Sequence, residues 1–353
     1  MNGGDASGRV SLRRGIRRLV GPTHPDMDHV FLELEEAVEL LERALADLAL
    51  GEGSPPGFDP GRHLAPGLPR LRPLMVMLAA QAAGEEDPDA AEVASAAELL
   101  HLAVMIHDAA LGRQGGRRRR VARRLLGRTV NWLGGNHLTL RALELARAAP
   151  RPEVLGDLLE AMREISECHA LAESLQDRDP SVGDYREYAE GHAGAVFAFC
   201  TRGGALLAGA PRPVVSALGR YGRHIGVAWH ALEDQWSLAM PPEELARVLG
   251  RFASSGRPVL PLIRALEVDP CLDGLLDKLL EQGDPDDAVD LQRRVRDAGG
   301  LTAARIMVAE ESLAARRALR TLPETPHREI LDRIAAGLAR KDMREVRASA
   351  HGL

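Results

Sequence analysis

Asp108 and His101 stand seven residues apart in the run Glu-Leu-Leu-His-Leu-Ala-Val-Met-Ile-His-Asp, which spans residues 98–108. On a helix that spacing is two turns, so the two side chains share a face. Leu99, Leu102, Val104, Met105 and Ile106 leave such a helix almost no polar side, and it reads as buried. An imidazole and a carboxylate aimed one way from a buried helix point to the wall of a central cavity. A core helix whose polar end reaches solvent at Asp108 satisfies the same pattern. Two further groups could do chemistry. His230 and Asp234, at i and i+4, could ligate a transition metal, although a pair supporting a neighbour within the core has the same spacing. Arg113, Arg117 to Arg120, Arg123, Arg124 and Arg128 form a dense run. Guanidinium forks suit phosphate oxygens, and a solvated basic face carries the same residues.

The elements that must position these groups are helices. The chain has 353 residues, of which 45% are hydrophobic and 3% aromatic. It is rich in Ala and Leu, which favours helix. Val30, Leu34, Val38, Leu41, Leu45 and Leu48 recur at helical spacing and predict a first helix over about 27–49. Similar patterns predict helices near 70–84, 90–111, 117–148, 153–176, 184–209 and 212–238. Later ones fall near 242–252, 258–267, 271–282, 286–298, 301–321 and 326–340. Gly/Pro turns such as Ala-Pro-Arg-Pro at 210–213 separate them, and no strand alternation of useful length or solenoid period is present. Residues 1–26, with Arg13, Arg14, Arg17 and Arg18, read as a basic, flexible extension. A short amphipathic helix touching a partner or anionic surface is the alternative there. Residues 27–353 read as one all-α domain.

The net charge of −6 supplies no general pull toward nucleic acid or membrane. Few aromatics leave little stacking platform, so nucleic acid is not the expected partner. No apolar run reaches the length of a membrane span, and the N-terminus has no signal-peptide core. Cys168, Cys200 and Cys271 lack metal-ligand spacing and read as reduced thiols of a cytoplasmic protein.

Four stretches carry a resemblance to a known family. Gly-Leu-Pro-Arg-Leu-Arg-Pro occupies 67–73, and His-Asp-Ala-Ala-Leu occupies 107–111. Far downstream come Trp-His-Ala-Leu-Glu-Asp-Gln-Trp-Ser at 229–237 and Ser-Gly-Arg-Pro-Val-Leu-Pro at 255–261. In order and spacing they resemble the trans-isoprenyl diphosphate synthases, the polyprenyl synthetase family, over roughly residues 65 to 340. The resemblance implies an isoprenoid-synthase-like helical bundle around a central cavity. It also implies condensation of isopentenyl diphosphate with an allylic diphosphate held by Mg²⁺ on two Asp-Asp-x-x-Asp motifs. Arg70 and Arg72, His101, and Arg117 with Arg118 match the family's diphosphate-binding positions. Asp108, Glu233 and Asp234 match its metal ligands. Ala103 and Val104 match the positions that admit or block the growing chain; both are too small to plug a tunnel, so a long prenyl chain is expected.

The departures are as informative as the matches. The first motif is Asp108-Ala109-Ala110-Leu111-Gly112 and the second is Glu233-Asp234-Gln235-Trp236-Ser237, leaving three carboxylates of six. Family lysines are replaced by Pro69, His192 and Arg257, and Gly-Asp on an intervening helix is Gly135-Asn136. Losing one preorganised electrostatic group can cost about 3–4 kcal/mol of barrier, and Mg²⁺ depends on carboxylate oxygens. These losses predict at most weak Mg²⁺ binding. They favour a catalytically impaired member: a non-catalytic partner or regulatory subunit, or a binder of prenyl or isopentenyl diphosphate. An active prenyltransferase with a modified metal and arginine site is the alternative. The family is usually dimeric, so a homodimer, or a heterodimer with an active synthase, is expected.

Overall fold

The computed structural model describes Pro55 and residues 71–84, 90–111, 121–175 and 178–340, with residues 110, 111 and 121–128 described by their backbone alone. The expected helix at 27–49, the extension 1–26, Arg70, Arg117 and Arg118 lie outside these residues. Among those described the chain is all-α, as expected, in an isoprenoid-synthase-like arrangement.

Helices α1 (Leu71–Ala82), α2 (Ala91–Leu111), α3 (Val121–Ala148) and α4 (Glu153–Ser174) form the first half. Helix α5 (Val182–Ala189) runs through a π turn (Glu190–Gly194) into α6 (Ala195–Leu207), and α7 (Arg212–Leu238) returns along it. Then come α8 (Pro242–Ser255), α9 (Leu260–Val268), α10 (Leu272–Gln282), α11 (Pro285–Asp297), α12 (Gly300–Ala318) and α13 (Pro326–Arg340). The starts follow local chemistry. Ser181 and Asp184 cap α5 reciprocally, each side chain bonding the other's backbone N–H. Helices α7, α8, α9 and α11 carry proline in their first turn, where the missing N–H has no helical partner to lose.

The principal core lies among α1, α2, α4, α6, α7 and α12. Helix α2 presents an apolar surface nearly all round: Leu99, Leu100, Leu102, Ala103, Val104 and Ile106 are buried. Helix α7 is the central pillar, packed against α6 on one side and α12 on another. A Cβ at Gly226 of α7 would overlap the Ala193 carbonyl in the π turn. Glycine there lets the two backbones touch. A smaller core gathers Leu238, Leu245, Leu249, Leu279 and Leu291 where α8 to α11 cover the end of α7.

Candidate active site

Asp108 stands in the last turn of α2, and two imidazoles meet it. His169 Nε2 of α4 lies 2.9 Å from Asp108 Oδ1, and His192 Nε2 of the π turn lies 2.9 Å from Oδ2. Burial opposes charge on this carboxyl, but His192 and His169 beside it hold it well below the usual carboxylate range. A π turn widens a helix by one residue and recurs at functional sites. Here it aims His192 back at α2. Arg223 of α7 steadies this wall: its guanidinium grips both oxygens of Glu164 on α4 at 2.6 and 2.9 Å and reaches the Glu190 carbonyl at 3.3 Å.

Behind His192 stands an aromatic group. Tyr188 stacks on His192 with ring centroids 5.3 Å apart, and His230 of α7 meets His192 edge-on at 5.6 Å. His230 is wholly buried, and neither ring nitrogen has a hydrogen-bond partner. Burial holds this imidazole neutral. Asp108 and Asp234 both bear on the Tyr188 phenol, which burial first and then these charges keep protonated.

Their remaining ligands differ in availability. Asp234 is fully buried; Arg257 Nη2 donates to its Oδ1 at 2.7 Å and the Leu260 backbone N–H to its Oδ2 at 3.2 Å. Arg257 also lies 4.3 Å above the Phe252 ring. Burial works against its charge, but Asp234 and then Glu233 hold the guanidinium protonated. Glu233 accepts a 2.7 Å hydrogen bond from Trp229 Nε1. Ser237 spends its hydroxyl on the Glu233 carbonyl of its own helix. The pairing of His230 with Asp234 thus resolves to the core alternative: Asp234 belongs to Arg257, and His230 faces His192.

Of the expected diphosphate contacts, Arg72 is described. Its Cζ lies 5.2 Å from the centroid of the Phe197 ring, and its buried Nε lacks a hydrogen-bond partner. His101 of α2 is part-buried. Ala103 and Val104 are in the principal core. His169 was missed by the sequence reading; a single His on an amphipathic helix carries no local mark of a site. Its neighbour Cys168 and the other two cysteines are free thiols.

The donor set decides where a divalent cation fits. Mg²⁺ is commonly held by one or two carboxylates with water and substrate phosphate completing the shell. Asp108 and Glu233 are the part-buried carboxylates of the two motifs, and both oxygens of Asp108 meet imidazole nitrogens. Asp234 does not suit that arrangement, because an arginine and a backbone amide already engage both of its oxygens.

The chain is 27% identical over 277 residues to the octaprenyl diphosphate synthase of Escherichia coli (strain K12), an alignment covering 77% of this chain and 86% of that one. It is 29% identical over 266 residues to the all-trans-nonaprenyl-diphosphate synthase of Rhodobacter capsulatus, covering 74% and 82%. Among solved structures it resembles a polyprenyl synthase from Caulobacter crescentus CB15 complexed with calcium and isoprenyl diphosphate. The TM-score is 0.75 at 25% identity, covering 92% of this chain and 98% of that one. These relatives correct the expectation of a catalytically impaired partner or regulatory subunit, because the proteins matched along three quarters of the chain are synthases. The structure supplies a physical reason why eroded motifs were a poor guide. Asp108 is held ionised and in place by two imidazoles, and the lost lysines leave His192 and Arg257 at the same cluster. The family model for polyprenyl synthetase matches residues 59–296, and the chain belongs to that family.

Proposed function

We propose that this protein is an active prenyltransferase that condenses isopentenyl diphosphate with an allylic diphosphate and builds a long chain. The reading rests on one observation: α4 and the π turn each bring an imidazole to Asp108 of α2, in a chain that shares three quarters of its length with named polyprenyl diphosphate synthases. Asp108 and Glu233 would hold the divalent cation, which supplies positive charge to the leaving diphosphate when bound. Arg72, with its unpartnered Nε, offers a donor to a diphosphate oxygen, and Arg70, Arg117 and Arg118 would join it. His101 would serve the isopentenyl diphosphate side. Arg257 does not touch substrate in this reading; it neutralises Asp234.

The product chain would run along α2 past Ala103 and Val104. Burying further isoprene units contributes about 0.8 kcal/mol per CH₂, so long allylic substrates are favoured. Self-association would use the apolar face that Met105 of α2 and Trp132, Leu133 and Leu140 of α3 leave exposed.

Product analysis after incubation with isopentenyl and allylic diphosphates and Mg²⁺ tests the reading. The expected result is prenyl diphosphate formed at roughly 1 s⁻¹ or faster. Asp108→Asn should slow it by about 10²–10³-fold, and Ala103→Phe should shorten the products. No product from folded protein with any allylic primer would overturn the proposal. Products of unchanged length from Ala103→Phe would overturn the path along α2.

A further inference from the structure

Among the described residues, Asp108, His169 and His192 are the one group whose ligand atoms could together hold a metal ion; those atoms all lie within 4.8 Å of one another. Two of the three donors are imidazole nitrogens. Magnesium prefers oxygen and binds imidazole poorly, whereas Mn²⁺, Fe²⁺, Co²⁺ and Zn²⁺ accept nitrogen readily. The spacing also fits. Ligands at 2.0–2.2 Å from a cation stand roughly 3 Å apart when they occupy adjacent corners of its shell. The two nitrogen-to-oxygen separations are both 2.9 Å.

A second, independent observation points the same way. His230 is fully buried, and both its ring nitrogens lack hydrogen-bond partners. Buried polar groups are nearly always satisfied, and an exception calls for an explanation. Its ring centroid is 5.6 Å from that of His192. A nitrogen of His230 can therefore take the hydrogen bond of a water held at the site. Tyr188, stacked on His192, and Arg223, clamping Glu164 to the π turn, fix the imidazole that must not move. Supports of this kind are what a metal site requires around its ligands.

We propose that Asp108, His169 and His192 form a site for a nitrogen-preferring divalent transition metal, which the protein binds without substrate and in preference to Mg²⁺. One carboxylate and two imidazoles from three helical segments constitute the site, with His230 behind it. The proposal that this cation would neutralise the allylic diphosphate rests on the prenyltransferase reading; the binding itself does not.

The test is a Co²⁺ titration of tag-free protein, followed by visible d–d absorption and by calorimetry, then repeated with Mg²⁺ as competitor. The expected result is one Co²⁺ per chain in a nitrogen-containing ligand field, bound roughly 100-fold or more tightly than Mg²⁺. His169→Ala and His192→Ala should each weaken Co²⁺ by about tenfold or more and alter the spectrum, while circular dichroism reports that they fold. The wild-type competition stands even if one variant fails to fold. Mg²⁺ binding as tightly as Co²⁺, or both variants retaining wild-type affinity, would overturn the site. Prenyl transfer with Mg²⁺ and no Co²⁺ binding would sink the metal proposal and leave the function intact. Tight Co²⁺ binding without product from any metal would do the reverse.

Discussion

Removing the Arg257 guanidinium would strand the Asp234 carboxylate where no water reaches it. Breaking one side of a buried ion pair typically costs about 3–5 kcal/mol, while replacing both partners by apolar groups can be neutral. Arg257→Ala should therefore lower the free energy of unfolding by about that amount in a denaturant titration, and Arg257→Met with Asp234→Leu should recover most of it. A loss under about 1 kcal/mol for the single change would show that Asp234 has another partner. At this scale the sequence was partly legible. Asp108, His192, Asp234 and Arg257 stood out because each falls within a stretch of recognisable spacing. What the spacing could not convey is which donors would pair. His169 gains its role only because α4 passes beside α2, and Asp234 loses its metal role only because Arg257 reaches it.

The helices were legible wherever apolar periodicity ran unbroken, and α2, α4 and α7 follow the pattern expected of them. The π turn was not. Residues 184–209 read as one continuous helix, but one extra residue at Glu190–Gly194 rotates α6 relative to α5 by roughly 100°. A stripe read straight through it puts one half on the wrong side. Close contact at the turn gives a prediction. Gly226→Ala drives a methyl into the Ala193 carbonyl, so stability should fall by about 1–3 kcal/mol, and prenyl transfer should fall with it as His192 is displaced. Unchanged thermal midpoint and rate would show that the backbones separate freely. A second strap is acid-sensitive. Glu311 of α12 is buried between Arg186 of α5 and His224 of α7. Burial opposes its ionisation, but His224 and Arg186 hold its pKa below the usual 4.5. The folded protein thus releases this proton more readily than the unfolded chain. The resulting stability is complete above the unfolded value and is lost as pH falls through the folded one. Glu311→Gln should flatten that acid limb in melts taken across the carboxylate range, and an unaltered pH profile would place the sensitivity elsewhere.

The molecule as a whole was more legible than its parts, since fold class follows from periodicity and turn residues, which survive when individual ligands change. The expectation of an impaired member rested on counting absent carboxylates and is overturned by relatives named as synthases; the imidazole that His169 brings from α4 to Asp108 carried no mark in the spacing. No helix among the described residues is long and apolar enough to cross a membrane. The face proposed for self-association carries the exposed Met105, Trp132, Leu133 and Leu140, and light scattering should find a dimer that Leu133→Asp converts to monomer. A wild-type monomer at micromolar concentration would end that reading. Met105 on that face and Asp108 at the site are three residues apart on α2. In a dimer built on that face, one helix belongs to both equilibria. Thermodynamic reciprocity then requires that whatever factor association adds to ligand affinity, ligand adds to association. A dimer dissociation constant measured with and without prenyl diphosphate would read the coupling from either end.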